Sequence, residues 1–138
     1  LRDGGVFNLV LYASDGWAWE DELVTMESEI RKEVLEYAEA VEAVGGTNIY
    51  GALERAFEIA GADGGGEWAE PAIDTIYLLT DGRASVGLTT DSDQILAFVR
   101  EKNRNAGIVI HTIGLSGAHD PYLLRTLAEE NGGIYVAR

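Results

Sequence analysis

The sequence contains no cysteine, which excludes disulfide bridges, thiolate metal sites and a cysteine nucleophile. Basic residues are also few: ten lysines and arginines stand against 24 aspartates and glutamates, giving a formal net charge of -14. A chain with this charge is repelled by a nucleic-acid backbone or an anionic lipid surface, so neither is expected as a partner. No apolar run approaches the roughly 20 residues that a membrane span needs, and no signal peptide is visible. We therefore expect no membrane segment in this chain.

The residues that are present supply a core for one compact domain, since 46% of the 138 are hydrophobic. Short apolar runs alternate with amphipathic segments along the chain. The pattern predicts five strands, near residues 6–13, 17–26, 74–80, 107–113 and 133–137. The step Asp15-Gly16 is typical of a hairpin turn, so the second of these strands is expected to return antiparallel at the edge of a sheet.

Four helices are expected among these strands. An apolar stripe runs through residues 28–44, and a second helix follows Asn48 and ends before the glycine-rich loop 61–66. Asp91 and the pair Asp120-Pro121 are typical starts of two further helices. The alternation predicts an α/β fold with three α/β/α layers, in which a doubly wound, mostly parallel sheet has one antiparallel edge strand.

Two short motifs occur where such folds bind ligands. Gly45-Gly46-Thr47-Asn48 opens the second predicted helix, and Thr80-Asp81-Gly82 closes the apolar run 74–80. In open α/β sheets, ligands gather at the carboxyl ends of the strands. If both loops lie at that edge, the hydroxyl of Thr47 and the carboxylate of Asp81 converge as oxygen ligands for a hard cation such as Mg²⁺.

Three stretches of the chain resemble a known family in their order and rough spacing. They are Gly-Gly-Thr-Asn-Ile-Tyr-Gly-Ala-Leu at 45–53, Asp-Thr-Ile-Tyr-Leu-Leu-Thr-Asp-Gly at 74–82 and His-Thr-Ile-Gly-Leu at 111–115. Together they resemble the von Willebrand factor type A (VWA) domain over essentially the whole chain. The resemblance implies a non-enzymatic, protein-binding module that holds Mg²⁺, or Mn²⁺ or Ca²⁺, in a metal-ion-dependent adhesion site (MIDAS). An acidic residue of a protein partner would complete the coordination.

The MIDAS of this family draws on three loops, and the resemblance assigns two of them here. Thr47 matches the family's threonine and Asp81 its aspartate, but the family's Asp-x-Ser-x-Ser loop occurs nowhere in the sequence. Residues 1–138 therefore resemble a partial VWA domain that lacks the central first strand, that loop and the first helix. Truncation and a degenerate domain that never used a metal both fit this sequence. Because Mg²⁺ requires near-octahedral oxygen coordination, two side chains are expected to hold it weakly or not at all.

Other interpretations compete with the MIDAS at the same residues. In an unrelated protein, Thr47 would be a plain helix N-cap and Asp81 a turn residue. The Gly45-Gly46-Thr47-Asn48 loop at a helix N-terminus also fits a phosphate or nucleotide site in a Rossmann-like domain. Against that alternative, neither a Gly-x-Gly-x-x-Gly nor a Walker pattern is present.

A hydrolase and a second metal site are further alternatives. The stretch Gly114-Leu115-Ser116-Gly117-Ala118 is close to a nucleophile elbow, but His119 directly after it is not placed like the histidine of a catalytic triad. His111 lies in a predicted buried strand and is expected to be a core histidine. Asp91-Ser92-Asp93 precedes a predicted helix, which favours capping over metal binding.

Overall fold

The computed structural model describes residues 2–42, 45–61 and 70–138. In chain order, its elements are β1 Val6–Phe7, β2 Val10–Tyr12, β3 Gly16–Ala18, β4 Val24–Thr25, α1 Ser28–Ala40, α2 Ile49–Ile59, β5 Thr75–Thr80, α3 Ser92–Asn103, β6 Val109–Gly114, α4 Pro121–Glu130 and β7 Tyr135–Ala137. Residues 43–44, at the end of the first predicted helix, and most of the glycine-rich loop 61–66 lie outside the described residues.

Strands β5, β6 and β7 form one parallel sheet with β6 in the centre. All six residues of β5 pair in register with β6, and the last three residues of β6 pair with β7. Parallel neighbours need a crossover connection, and α3 and α4 supply the two crossovers. The strands predicted in this half of the chain are confirmed to within two residues at each end.

One face of this sheet carries the core. Along β5, Ile76, Leu78 and Thr80 are buried, whereas Tyr77 and Leu79 on the opposite face are 64% and 48% exposed. Helices α2, α3 and α4 pack on the buried face with side chains that are at most 1% exposed: Ile49, Leu53, Phe57, Ile95, Leu96, Val99, Leu123, Leu124 and Leu127. The alternation of elements predicts helices on both faces of the sheet, whereas in the described residues the face of Tyr77 is largely open to solvent.

Two helices begin where their capping residues predict. The carboxylate of Asp91 accepts the N–H group three residues further on at 2.9 Å and starts α3. Asp120 accepts the N–H groups of Tyr122 and Leu123 at 3.0 and 3.2 Å, and Pro121 occupies the first turn of α4. Asp91 therefore acts as a helix cap, as the sequence favoured.

The strand predicted over residues 6–13 is divided in the structure. β1 pairs with β4 and β2 with β3, each antiparallel, so the segment enters two short ribbons and not the parallel sheet. Asn8 lies at the break, where its side-chain amide donates to the carbonyls of Glu20 and Glu22 at 2.7 and 2.9 Å. This side chain replaces ladder hydrogen bonds and thereby also divides the predicted strand 17–26. The predicted hairpin at Asp15-Gly16 is confirmed.

The outer edge of β5 pairs with no strand in the part of the chain that the structure describes. The carbonyls of Asp74 and Thr80 accept N–H groups at the two ends of β6. Because successive residues of a strand direct their backbone polar groups to opposite sides, the N–H and C=O groups of Tyr77 and Leu79 point away from β6. One bond crosses from β2 to this edge: the Tyr12 hydroxyl donates to the Leu79 carbonyl at 2.8 Å. β2 and β5 therefore approach each other without forming a ladder.

A buried amide joins the end of α3 to β6 and α4. Asn103 is 8% exposed, and its Nδ2 donates to the Ile108 carbonyl and to Asn131 Oδ1, both at 2.7 Å. Its Oδ1 accepts the N–H of Ile108 at 2.8 Å. These three bonds fix the turn that leads into β6, the central strand.

Candidate functional site

The structure brings together the two loops that carry the predicted metal ligands. Asp81 directly follows β5, and Thr47 precedes α2, so both lie at the C-terminal edge of the parallel sheet. The Thr47 hydroxyl lies against Gly82, the residue after Asp81: a β-carbon added at Gly82 would be 3.2 Å from Thr47 Oγ1. A side chain at position 82 would crowd this hydroxyl, so glycine allows the two loops to approach closely.

Thr47 does not cap the helix that follows it. The N-cap of α2 is Asn48, whose Oδ1 accepts the N–H of Gly51 at 2.8 Å. Among the described residues, neither the Thr47 hydroxyl nor the Asp81 carboxylate has a hydrogen-bond partner. Both ligand candidates are therefore free of the local capping roles that would otherwise explain them.

Serine side chains hold the Thr47 loop in place from two sides. Ser14, which follows β2, accepts the N–H of Gly46 at 2.8 Å through its Oγ. Ser85 Oγ accepts the N–H of Thr47 at 2.9 Å, and the N–H of Ser85 donates to the Thr47 carbonyl at 3.0 Å. Ser85 lies four residues after Asp81, so these bonds join Thr47 to the loop that carries Asp81.

The backbone of the same loop has few donors left for an anion. The N–H groups of Gly46 and Thr47 donate to Ser14 and Ser85, as described, and that of Asn48 donates to the Ala13 carbonyl at 2.8 Å. A phosphate site at a helix N-terminus depends on such N–H groups pointing at the ligand. Their engagement within the protein weakens the phosphate or nucleotide interpretation of this loop.

The arrangement after β6 differs from that of a nucleophile elbow. Ser116 Oγ donates to the Asp81 carbonyl at 2.9 Å, and not to a histidine. His119 Nδ1 bonds the carbonyl of Ser116, and His119 Nε2 lies 2.7 Å from the Tyr135 hydroxyl. A triad needs the histidine to take a proton from the serine hydroxyl. This geometry provides no such contact and so gives the hydrolase interpretation no support.

The other histidine is satisfied, but it does not lie in the core as the sequence predicts. His111 is half-buried on the exposed face of the sheet, where its ring stacks on Tyr77 with 4.9 Å between the ring centres. Its Nδ1 accepts the N–H of Ile134 at 3.0 Å. The alternation of β6 places it opposite the buried residues Ile110 and Thr112.

Tyr12 is a residue of this edge that the sequence reasoning missed. Burial raises the pKa of its hydroxyl above the ordinary value of 10.0, and the nearby charge of Asp81 acts in the same direction. Tyr12 ends the strand before Ser14, so its position at the end of an early strand was the available indication. Ser85 carried no comparable local signal, and the motif around Ser116 indicated only a nucleophile, because the roles of both serines depend on contacts between distant loops.

The described residues hold no group of three or more histidine, cysteine, aspartate or glutamate side chains that could bind a metal ion. In the same residues, no helix is long and apolar enough to cross a membrane. At the edge described above, the donors that the sequence predicts are the Asp81 carboxylate and the Thr47 hydroxyl.

Comparison with known proteins identifies the family. The family model for the von Willebrand factor type A domain matches residues 1–137. The chain belongs to the VWA family. The human von Willebrand factor A domain-containing protein 3A is 29% identical over 131 residues, which are 94% of this chain and 10% of that protein. The chain thus spans about a tenth of this relative's length.

Two solved structures share the fold. A von Willebrand factor type A protein from Catenulispora acidiphila matches with a TM-score of 0.77 and 22% identity, over 100% of this chain and 31% of that one. Proximal thread matrix protein 1 from the mussel byssus, in a structure with a zinc-occupied MIDAS motif, matches with a TM-score of 0.62 and 19% identity, over 96% of this chain and 30% of that one. These similarities confirm the predicted VWA-like α/β fold. VWA domains are protein-interaction modules and generally bind a divalent metal at the MIDAS.

Proposed function

We propose that this VWA chain is a protein-binding module in which Thr47 and Asp81 contribute oxygen ligands to a divalent cation, and that it is not an enzyme. An acidic residue of the partner protein would complete the coordination. The observation that carries the proposal is the approach of the Thr47 hydroxyl to the loop of Asp81, with neither side chain engaged by another described residue. Two oxygens left free at the ligand-binding edge of an α/β sheet suit a cation better than a cap or a turn.

The donor chemistry fits a hard cation, but the number of donors is small. A carboxylate and a hydroxyl are ligands that Mg²⁺, Mn²⁺ and Ca²⁺ accept, but each of these ions takes about six or more oxygens. Thr47 and Asp81 supply two, which leaves the remaining positions to water or to the partner. We expect this chain alone to bind such cations weakly, on the order of 1 mM, at the weak end of oxygen-ligand sites.

We further propose that residues 1–138 form a partial VWA domain. The outward N–H and C=O groups of Tyr77 and Leu79 on β5 support this, together with the single hydroxyl bond that crosses from Tyr12. An open edge between two sheets is the place where another strand would pair, and native proteins rarely leave such an edge uncovered. A further strand at this edge would take the place of the central first strand that the family resemblance implies.

Cation titration by calorimetry tests the ligand assignment. The titrated proteins are the wild type, Thr47→Ala, Asp81→Ala and the control Asp74→Ala, in which the lost carboxylate stands just before the other end of β5. We expect weak Mn²⁺ or Mg²⁺ binding by the wild type and by Asp74→Ala, and at least a tenfold loss in the other two variants. Equal binding by all four proteins would refute the assignment and leave Thr47 and Asp81 as loop residues.

A parent protein that carries more sequence before Leu1 allows a second test. If the added segment brings an Asp-x-Ser-x-Ser loop, Mg²⁺ affinity should rise by orders of magnitude, and Asp81→Ala should abolish that gain. A phosphate titration of residues 1–138 distinguishes the cation site from the alternative phosphate or nucleotide site. Saturable phosphate binding that Asp81→Ala leaves unchanged would favour an anion site at Gly45-Gly46-Thr47-Asn48.

A further inference from the structure

Ser116, in the loop between β6 and α4, has a strained backbone. Among the described residues it alone combines a positive φ, +73°, with a side chain. This left-handed conformation costs an L-residue other than glycine, asparagine or aspartate on the order of 1–2 kcal/mol. Gly114 and Gly117 lie within two residues on either side, yet the strained position carries a serine. Such strain persists only where the surroundings impose it.

The Ser116 side chain and backbone connect this loop to the candidate site and to β7. The hydroxyl donates to the Asp81 carbonyl at 2.9 Å, and the same oxygen accepts the N–H of Ala118 at 3.3 Å. The N–H of Ser116 donates to the Arg138 carbonyl at 3.0 Å. The Ser116 hydroxyl thus bonds the Asp81 backbone, while the Asp81 carboxylate has no hydrogen-bond partner among the described residues.

The buried ring of His119 keeps Ser116 in this conformation. His119 is 6% exposed and packs directly on Gly114, where any β-carbon would overlap the imidazole. A carbonyl oxygen only accepts, so Nδ1 carries the hydrogen that bonds the Ser116 carbonyl. In the neutral ring, Nε2 then accepts the hydroxyl hydrogen of Tyr135 at 2.7 Å. Both ring nitrogens are used to hold the loop.

We propose that Ser116 is a positioning residue for Asp81, and that His119 and Tyr135 hold it in place. The inference rests on the proposed function, because it concerns how one of the two ligand candidates is oriented. Ser85 fixes the backbone of Thr47, and Ser116 fixes that of Asp81, so both ligand candidates are aligned through their peptide groups by a serine from another segment. Supporting groups of this kind orient metal ligands elsewhere.

The test uses Ser116→Gly, which removes the hydroxyl and also relieves the positive φ. A purely structural role predicts only a change in thermal stability, whereas a positioning role predicts weaker cation binding in a protein that is about as stable as the wild type. The probe is Mn²⁺, followed by the broadening of the amide signals of Asp81 and Gly82 in ¹H–¹⁵N spectra. We expect at least a threefold loss of Mn²⁺ affinity in Ser116→Gly and a smaller loss in Tyr135→Phe.

Ser92→Ala is the matched control, because the Ser92 hydroxyl also bridges distant residues but donates to Asp120 and not to Asp81. It should lower stability and leave Mn²⁺ affinity unchanged. Unchanged affinity in Ser116→Gly, with binding abolished in Asp81→Ala, would overturn the positioning role while the cation site stands.

A measurement without metal separates this inference from the proposed function. Loss of the hydrogen bond to the Asp81 carbonyl should shift the amide signal of Gly82, which belongs to the same peptide group. If the wild type binds no Mn²⁺, the proposed function fails, and the Gly82 amide signal alone then tests whether Ser116 positions Asp81. A shifted Gly82 signal in Ser116→Gly supports the positioning of Asp81, and an unshifted one refutes it.

Discussion

Asp120 allows a quantitative test of how the loop after β6 is anchored to the helical layer. Its carboxylate accepts the N–H groups of Tyr122 and Leu123 and the hydroxyl of Ser92, the last at 2.8 Å. It therefore caps α4 and also bonds the first residue of α3. The change Asp120→Ala removes all three hydrogen bonds.

The expected loss of stability follows from these contacts. Removal of an aspartate N-cap costs about 1 kcal/mol, and loss of the bond from Ser92, at a partly exposed site, costs about 1 kcal/mol more. Fraying of the first turn would expose Leu123 and Leu124, which are fully buried, so the sum of about 2 kcal/mol is not an overestimate. At about 4 °C per kcal/mol for a domain of 138 residues, the Tm should fall by about 8 °C.

The same contacts make part of the stability depend on pH. Burial raises the pKa of Asp120, but the hydrogen bonds from Ser92, Leu123 and Tyr122, together with the charge of Arg83, outweigh it and hold the pKa below its ordinary value of 3.8. A carboxylate with a lowered pKa stabilises the fold fully above its unfolded pKa, near pH 4, and loses that contribution as the pH falls through the folded value. Asp120→Asn keeps an N-cap and removes this titration.

The assay is thermal unfolding followed by circular dichroism at pH 7, 5, 4 and 3. The Tm difference between the wild type and Asp120→Asn should be constant at pH 7 and 5 and should shrink toward pH 3. Asp91→Ala is the control: it removes a cap with one described hydrogen bond and should cost about half as much as Asp120→Ala. A Tm for Asp120→Ala within 2 °C of the wild-type value would refute this reasoning. So would a Tm difference between the wild type and Asp120→Asn that grows as the pH falls.

Three further substitutions test the packing around the sheet. Tyr12→Phe removes the hydroxyl bond to the Leu79 carbonyl and should lower the free energy of unfolding in urea by about 1 kcal/mol. Asn103→Ala leaves the buried partners of its amide unsatisfied and should cost about 3 kcal/mol in the same assay. Gly133→Ala places a β-carbon on the carbonyl oxygen of Ile110 in the central strand, so little folded protein is expected by circular dichroism; a wild-type Tm would contradict this close approach.

The sequence predicted best those parts of the fold that local chemistry determines. The starts of α3 and α4 depend on Asp91 and Asp120, whose carboxylates bond N–H groups two or three residues away. The parallel strands could be recognised as short apolar runs, although helices cover only the alternate residues on one face of the sheet. The division of the strand over 6–13 could not be predicted in this way, since Asn8 finds its partners 12 and 14 residues away.

In the candidate site, too, the sequence predicted the residues of local motifs but not the contacts between distant segments. Thr47 and Asp81 could be selected because their motifs stand at the ends of predicted elements, and the structure places those two loops in contact. The sequence could identify neither serine that fixes their backbones. The motif around Ser116 resembled a nucleophile elbow, but the Ser116 hydroxyl donates to the carbonyl of Asp81, 35 residues earlier in the chain. Only the fold creates this contact.

The charge of the chain constrains how the proposed module would meet its partner. With 24 acidic and ten basic residues, the domain repels an acidic side chain at long range, and Asp81 repels it again at the site. A cation held by Thr47 and Asp81 would reverse the sign of the local charge, so the proposed recognition of an acidic residue would require the cation. Serine hydroxyls would suit such a site, because they can bond the two loops without adding charge. With a single carboxylate, the proposed site would have a low cation affinity, which the partner's own carboxylate would raise.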